Sequence, residues 1–422
     1  MIYADISEFV SNPIGTGIQR TIRAIFRHWT DGLTACYFDK AANNLRVLTP
    51  EALAAVLDNS NATTAEKADR AARSIAAAPG TLIGDEAYVL IPELFWDHAR
   101  CAFYKKRIER HPSRSFAIVY DLFPWIHPKD FGITDRTPFE PYFNLVFSMA
   151  YTAHISQETK EAYEIAGRLR RPWPLPILHL GADGLSVEKQ TFHPSRKTFV
   201  CLGSIEARKR QSDVLMAFED LWDEGVEVDL VLVGKLVDHG NASLGPAIEA
   251  AKERYPQFSH YPAASDEQLA QILSTARATI LASTLEGYGI PPVESLYAGI
   301  PVIVSDVMPS TRRLQPLGQI RIEPKRPDRI AAAARKMLDN DEARRLWTEA
   351  ASISLPTWRD TARQVREWAT HIEIVHSAID RDLARRDPIP KLMPLADIRP
   401  IDLDKDASLQ AESARWLREA AT

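Results

Sequence analysis

Short runs of β-branched or apolar residues alternate with longer segments of helical period along most of the chain, the pattern of parallel sheets crossed by helices. Two α/β units are expected. In the first, residues 1–6 read as a strand, 17–29 as a helix, 115–120 as a strand and 175–180 as a late strand. The pattern sets no register for 40–110, and 59–79, rich in Ala, Thr and alternating charge, fits an exposed helix or a loop equally. From Lys197 the rhythm is regular: strand 198–202, helix 210–223, strand 228–233 and a helix near 247–254. Ser265-Asp-Glu-Gln268 has the form of a capping box and predicts a helix start, followed by a strand over 277–282. The polar stretch 184–194 reads as a linker. These readings divide the chain into 1–188, 189–357, a helix over 358–380 and a tail over 381–422. Pro388, Pro390, Pro394 and Pro400 make that tail irregular, with one amphipathic helix over 407–420 that would dock on the body.

Composition narrows the class. Of 422 residues, 45% are hydrophobic and 25% charged, with a formal net charge of −5. Mean hydropathy is −0.22, so neither a disordered nor a membrane-embedded chain fits. No run approaches the roughly 20 apolar residues that span a bilayer; the uncharged stretch between Glu140 and Glu158 is broken by Asn144, Ser148, Thr152 and His154. The first residues lack the basic and apolar regions of a secretory signal, so a cytoplasmic location is expected. Cys36, Cys101 and Cys201 are far apart and form no Cys-x-x-Cys, which argues against a disulfide framework or a structural zinc site. The charge balance does not point to nucleic acid.

The most informative string runs from Ala282 through Glu286-Gly-Tyr-Gly-Ile-Pro-Pro-Val-Glu294 to Asp306. It reads as strand, glycine loop, helix, tight turn, strand. Gly287 and Gly289 allow positive φ and a close approach of backbone amides to a ligand, while Pro291 or Pro292 suits a first helical turn. Amides at a helix N-terminus favour a diphosphate. Glu286 before the loop and Glu294, expected in the first turn, would accept hydrogen bonds from sugar or ribose hydroxyls, because a carboxylate facing phosphate is repelled. The bland alternative is that two glutamates eight apart are coincidence, Glu294 merely favouring the helix dipole.

Gly203-Ser-Ile-Glu-Ala-Arg208-Lys209-Arg210 follows a strand and suits phosphate binding, since a fixed cation stabilises charge on a leaving phosphate oxygen. The alternative is a solvated helix start with local Glu206 salt bridges. Gly15-Thr-Gly17-Ile-Gln-Arg20 resembles a dinucleotide fingerprint until the third glycine, where Arg20 stands; it reads as a glycine loop facing a phosphate or as an ordinary turn. Asp121, after Tyr120, is a candidate for orienting a hydroxyl or acting as a base. His127 and His154 are read as structural before catalytic, and Ser156 as a helix cap.

With these motifs in order, residues 197–375 resemble the catalytic half of retaining glycosyltransferases of family four, the group 1 type with a Glu-x7-Glu motif. The likeness rests on Gly203-Ser-Ile-Glu-Ala-Arg-Lys, Gly234-Lys235, Ser265-Asp-Glu-Gln-Leu, Glu286 to Glu294 and Gly299-Ile-Pro-Val-Ile. More loosely, Gly15 to Arg20, Tyr120-Asp121-Leu-Phe-Pro, Ile155 to Lys160 and Leu180-Gly-Ala-Asp183 resemble bacterial polysaccharide members. The resemblance implies a GT-B fold: two Rossmann-like doubly wound domains facing a cleft, an N-terminal acceptor domain and a C-terminal nucleotide-sugar domain, with the final helix crossing back.

By that pattern Arg208 and Lys209 hold the diphosphate, Glu294 the ribose, and Glu286 with the Gly287, Tyr288, Gly289 and Ile290 segment the sugar. Gly15, Gly17, Gly203 and Gly234 complete the donor site, and Arg208, Lys209 and Glu286 together with Asp121 are the expected catalytic residues. Neither a metal nor a further cofactor is implied. Many relatives carry His where Tyr120 stands and several carry Arg where Ser204 stands, so roles for those side chains do not transfer.

The expected activity is retaining transfer of a sugar from a nucleoside diphosphate donor, GDP-mannose-like before UDP- or dTDP-linked, to a glycan or lipid-linked glycan in polysaccharide synthesis. Peripheral contact with the inner membrane face is an analogy. The rivals are a non-catalytic sugar-nucleotide sensor or scaffold, and a different GT-B activity such as epimerisation or phosphorolysis.

Overall fold

In the computed structural model, residues 1–58, 62–167, 175–237 and 244–383 are described, with only the backbone of 377–383; residues 381–383, expected in the tail, continue the helix, and the rest of the expected tail with its helix over 407–420 lies outside them. The chain forms two units. The first comprises Met1–Pro128, Ile133–Leu178 and the described residues from Thr361 on; the second comprises Lys129–Gly132 and His179–Asp360. The second unit thus begins ten residues before the linker-based boundary at 188/189. Gly181 explains this locally, since a Cβ there would stand 2.2 Å from the backbone nitrogen of Trp358.

Six strands make the first sheet: β1 (Ile2–Asp5), β2 (Leu33–Asp39), β3 (Asn44–Val47), β4 (Tyr88–Ile91), β5 (Ser115–Val119) and β6 (Tyr151–His154), in the order β3-β2-β1-β4-β5-β6. All pairings are parallel except the β2–β3 hairpin. Every residue of β4 and β5 is buried, as expected of strands covered on both faces. The segment expected as a strand over 175–180 makes one isolated bridge, Ile177 to His154. Pro176 has no N–H to continue a ladder. The region 59–79 contains a helix, Thr64–Ala77, closed by a Thr63/Glu66 capping box.

The second sheet consists of β7 (Thr198–Leu202), β8 (Asp229–Val233), β9 (Phe258–Tyr261), β10 (Ala276–Leu281), β11 (Val302–Ser305) and β12 (Gln319–Ile322). Its order, β12-β11-β10-β7-β8-β9, is parallel throughout. Both sheets are doubly wound in the Rossmann order. Phe199, Phe218, Leu230 and Ile280 centre one core, and Phe143, Phe147, Val119 and Tyr163 centre another in the first unit. The polar stretch 184–194 packs on the second unit, where the Gln190 N–H donates to the Ala298 carbonyl at 2.7 Å. The three cysteines are free and buried.

Candidate functional site

An open parallel sheet offers its ligand site outside the carboxyl ends of the strands, where the winding order reverses. In the second unit that reversal lies between β7 and β10. The loops leaving these two strands, 203–210 and 282–289, are the ones that carry the sequence motifs.

They are fastened to each other. The Thr284 N–H donates to the Arg208 carbonyl at 2.8 Å, and the Thr284 hydroxyl to the same oxygen at 3.1 Å. The Arg208 guanidinium crosses the gap, donating to the Leu285 carbonyl at 2.8 Å and pairing with Glu286 at 3.0 Å and Glu206 at 2.8 Å. The Ser283 hydroxyl donates to Glu286 at 3.0 Å, and the Ser305 hydroxyl holds the Ser283 carbonyl at 2.6 Å. Arg208 therefore orders both loops as well as carrying charge.

Lys209 donates through Nζ to the Ser204 hydroxyl at 3.0 Å, and that hydroxyl donates to Glu206. Burial opposes ionisation of Glu206, but Arg208, Lys209 and the hydrogen bonds from Ser204 and Arg208 outweigh it and hold the carboxyl below its ordinary range. The Gln211 amide closes the turn, donating to the Ser204 carbonyl at 2.9 Å and accepting from the Glu206 N–H at 3.3 Å. Arg210, with φ of 56°, turns back onto its own helix and pairs with Asp213 at 2.7 and 2.6 Å.

Two glycines are required by close approach. Gly234, at φ 148°, packs so tightly on the β7 loop that a Cβ would stand 2.0 Å from the Gly203 carbonyl oxygen; Gly203 itself has φ 110°. Gly289, at φ 85°, precedes the helix Ile290–Tyr297, which has proline in its first turn and no side chain capping its N-terminal amides. The Gly289 carbonyl accepts from the Ser310 hydroxyl at 2.6 Å. The Tyr288 phenol donates to the Leu180 carbonyl at 3.2 Å, and burial pushes it up to about 12.

Glu294 is the fifth residue of its helix, beyond the first turn, which contains no acidic residue. This corrects the expected position and weakens the helix-dipole alternative. Its side chain is buried.

In the first unit, Gly15 has φ 78° and donates its N–H to the Gln19 side chain at 2.7 Å. Gly17 opens the helix Gly17–His28, whose Thr16 cap accepts from the Gln19 N–H at 3.3 Å. Tyr120 is buried, and its phenol donates to the Pro92 carbonyl at 2.9 Å. Asp121 accepts from the Phe123 N–H at 3.2 Å, at the start of a short helix. Ser156 caps its helix, accepting from the Thr159 N–H at 3.0 Å.

The second unit thus gathers Gly203, Arg208, Lys209, Gly234 and Glu286 around one edge, with Gly287, Tyr288, Gly289 and Ile290 continuing the same loop toward Glu294. Gly15, Gly17 and Asp121 lie at the carboxyl edge of the first unit's sheet. The sequence reading missed Ser204, Gln211, Ser283 and Thr284 as contributors. Their only signal was polar residues interleaved with the charged and glycine positions. Glu206 is read from sequence only as a local salt-bridge partner; the structure keeps that pairing and half-buries it.

Among the described residues no helix is long and apolar enough to cross a membrane. Residues 185–353 match the model for glycosyl transferases group 1. A serotype-specific mannosyltransferase, WbdA, of Escherichia coli is 32% identical over 158 residues, covering 32% of this chain and 18% of its own length. A GDP-mannose:cellobiosyl-diphosphopolyprenol alpha-mannosyltransferase of Xanthomonas oryzae pv. oryzae is 25% identical over 221 residues, covering 51% of this chain and 57% of its own. The chain therefore spans less than two thirds of the length of these relatives.

Among solved structures, HepE of Anabaena in complex with UDP and glucose superposes with a TM-score of 0.62 at 14% identity, over 88% of this chain and 99% of that one. Sucrose-phosphate synthase of Thermosynechococcus elongatus gives 0.59 at 14% identity, over 90% and 99%. These likenesses establish the fold, the GT-B arrangement of two Rossmann-like units within one chain. Residues 185–353, the segment that matches the glycosyl transferases group 1 model, hold the paired loops around Arg208 and Glu286.

Proposed function

We propose that the chain is a glycosyltransferase that takes a sugar from a nucleoside diphosphate donor bound at the carboxyl edge of the second sheet and passes it to a glycan acceptor, in bacterial polysaccharide or glycoconjugate synthesis. The observation that carries this reading is the Arg208 bridge between the β7 and β10 loops, with Lys209 beside it and an uncapped helix N-terminus at Ile290. Fixed cations and amides at one place stabilise the charge that develops on a departing phosphate oxygen.

In this reading Lys209, Arg208 and the Gly287–Ile290 backbone hold the diphosphate, Glu286 the sugar and Glu294 the ribose. The acceptor hydroxyl attacks on the face the diphosphate leaves, the phosphate oxygen takes its proton, and the anomeric configuration is retained without a metal. The names of the WbdA and Xanthomonas relatives favour a mannosyl donor carried on GDP. A thermal-shift panel of GDP-, UDP- and dTDP-sugars tests the donor, because selective binding raises the unfolding midpoint. Lys209→Ala should lower acceptor-dependent release of nucleoside diphosphate by about 10² to 10³ with little change in unfolding. Binding without any release, in the unaltered chain and with a range of glycan acceptors, would favour the sensor reading.

A further inference from the structure

The donor edge has an unbalanced demand for positive charge. On the β7 and β10 loops and the first turn of the helix that follows β7, Glu206, Asp213 and Glu286 face Arg208, Arg210 and Lys209. Three acids against three bases leave the lip electroneutral. Arg208 lies between two carboxylates, and Arg210 is held in a two-pronged pair with Asp213. Of the three, Lys209 forms no ion pair among the described residues and donates to a neutral group, the Ser204 hydroxyl. A diphosphate brings at least two negative charges to this place, and one lysine compensates them poorly.

The next strand over supplies another cation. Lys235 follows Gly234 at the carboxyl end of β8 and is exposed, with no ion pair or side-chain hydrogen bond among the described residues. Its backbone is stitched to the same phosphate loop. The Ile205 N–H donates to the Lys235 carbonyl at 2.9 Å, the Val237 N–H donates to the Ile205 carbonyl at 2.9 Å, and Ile205 forms a parallel bridge with Leu236. Gly234 permits this closeness, since any Cβ there would collide with the Gly203 carbonyl. Lysine also suits the role: it is a flexible point charge with three donors and adapts to phosphate oxygens without a fixed fork.

We propose that Lys235 is a second cation of the donor site and, together with Lys209, holds the diphosphate of the bound nucleotide. The inference rests on the donor reading above and adds to it a residue that compensates the charge Arg208 cannot. Lys235 is then a binding residue that acts on the phosphates and not on the base.

Calorimetric titration of the full chain with GDP, UDP and dTDP, each beside its nucleoside monophosphate, tests this. For whichever diphosphate the unaltered protein binds, Lys235→Ala should weaken affinity about tenfold or more and weaken the monophosphate less. Lys235→Arg should restore most of the loss, and the unfolding midpoint without ligand should stay unchanged because the side chain is exposed. Unchanged diphosphate affinity in Lys235→Ala, or an equal loss for mono- and diphosphate, would overturn the assignment of Lys235 while leaving the donor reading in place. An unaltered protein that binds no diphosphate at all would instead remove the donor reading and this inference with it.

Discussion

Gly234 and Gly289 both adopt positive φ beside the donor loops, yet they differ in what a methyl group would meet. At Gly234 the obstacle is a backbone carbonyl 2.0 Å away on the neighbouring loop, and relief requires moving β8 away from β7. At Gly289 it is the Met308 sulfur at 2.1 Å, which belongs to a flexible side chain and can rotate aside. Gly289→Ala should therefore cost mainly its backbone conformation, about 1–2 kcal/mol. Gly234→Ala should cost more, about 3 kcal/mol or above, because a collision with fixed backbone is added. Urea unfolding of the two variants measures this, and the reverse ranking would show that the loops move independently. Gly289 was legible in the sequence because it precedes a proline-started helix. The need for Gly234 was not, because its partner at Gly203 is some thirty residues distant and only the pairing of β7 with β8 brings them together.

At the scale of elements, the second sheet was readable almost strand by strand, since each run of apolar residues is followed by a periodic helix and a loop. The first was not. β2 and β3 form a hairpin, and two helices follow it before β4, so the regular alternation is interrupted between 40 and 110. Strand order decides what each crevice holds, and no local pattern encodes it. In the first unit the reversal lies between β1 and β4, where Arg100 pairs with Asp5 at 2.8 Å and Glu93 at 2.7 Å, all three side chains buried. Glu93 also accepts from the Glu8 and Phe9 N–H groups at 2.7 and 3.1 Å. Carboxylates and their own guanidinium fill that crevice, a physical reason against dinucleotide binding there.

One strand end makes a pH-dependent prediction. His154 closes β6, is buried against the Tyr163 ring at 4.7 Å, and neither ring nitrogen has a hydrogen-bond partner among the described residues. Burial, with Lys160 adding repulsion, lowers it from 6.5 to about 3. Between those values the unfolded chain binds a proton that the folded chain does not, so stability present above pH 6.5 is lost as pH falls. His154→Phe should remove about 2 kcal/mol of the difference between stabilities measured at pH 7 and pH 5. An unchanged pH dependence in that variant would mean His154 is protonated in the fold.

The whole molecule depends on a segment far from the first sheet in sequence. The helix Trp358–Leu383 begins in the second unit, where the Trp358 N–H donates to Asp183 at 2.6 Å, and from Thr361 it belongs to the first. There Trp368 meets Phe116 edge-on at 5.4 Å, the Tyr151 hydroxyl lies 2.6 Å from the His376 ring nitrogen, and the N-terminal amine pairs with Glu373 at 2.6 Å. Val365 and Ile372 are buried, and covering two such side chains contributes about 3–6 kcal/mol. The helical period after Pro356 was visible in the sequence, but its partner surface was not, because Phe116 and Tyr151 lie more than two hundred residues earlier. A chain ending at Asp360 should lose that contribution from the first unit alone, while a chain ending at Leu383 keeps it. Limited proteolysis should then cut the shorter chain first within residues 1–178 and leave 179–360 protected, because cleavage follows local opening. Equal resistance of the two chains would show that the helix does not stabilise the first unit, and early cutting in 179–360 would show that it chiefly supports the second.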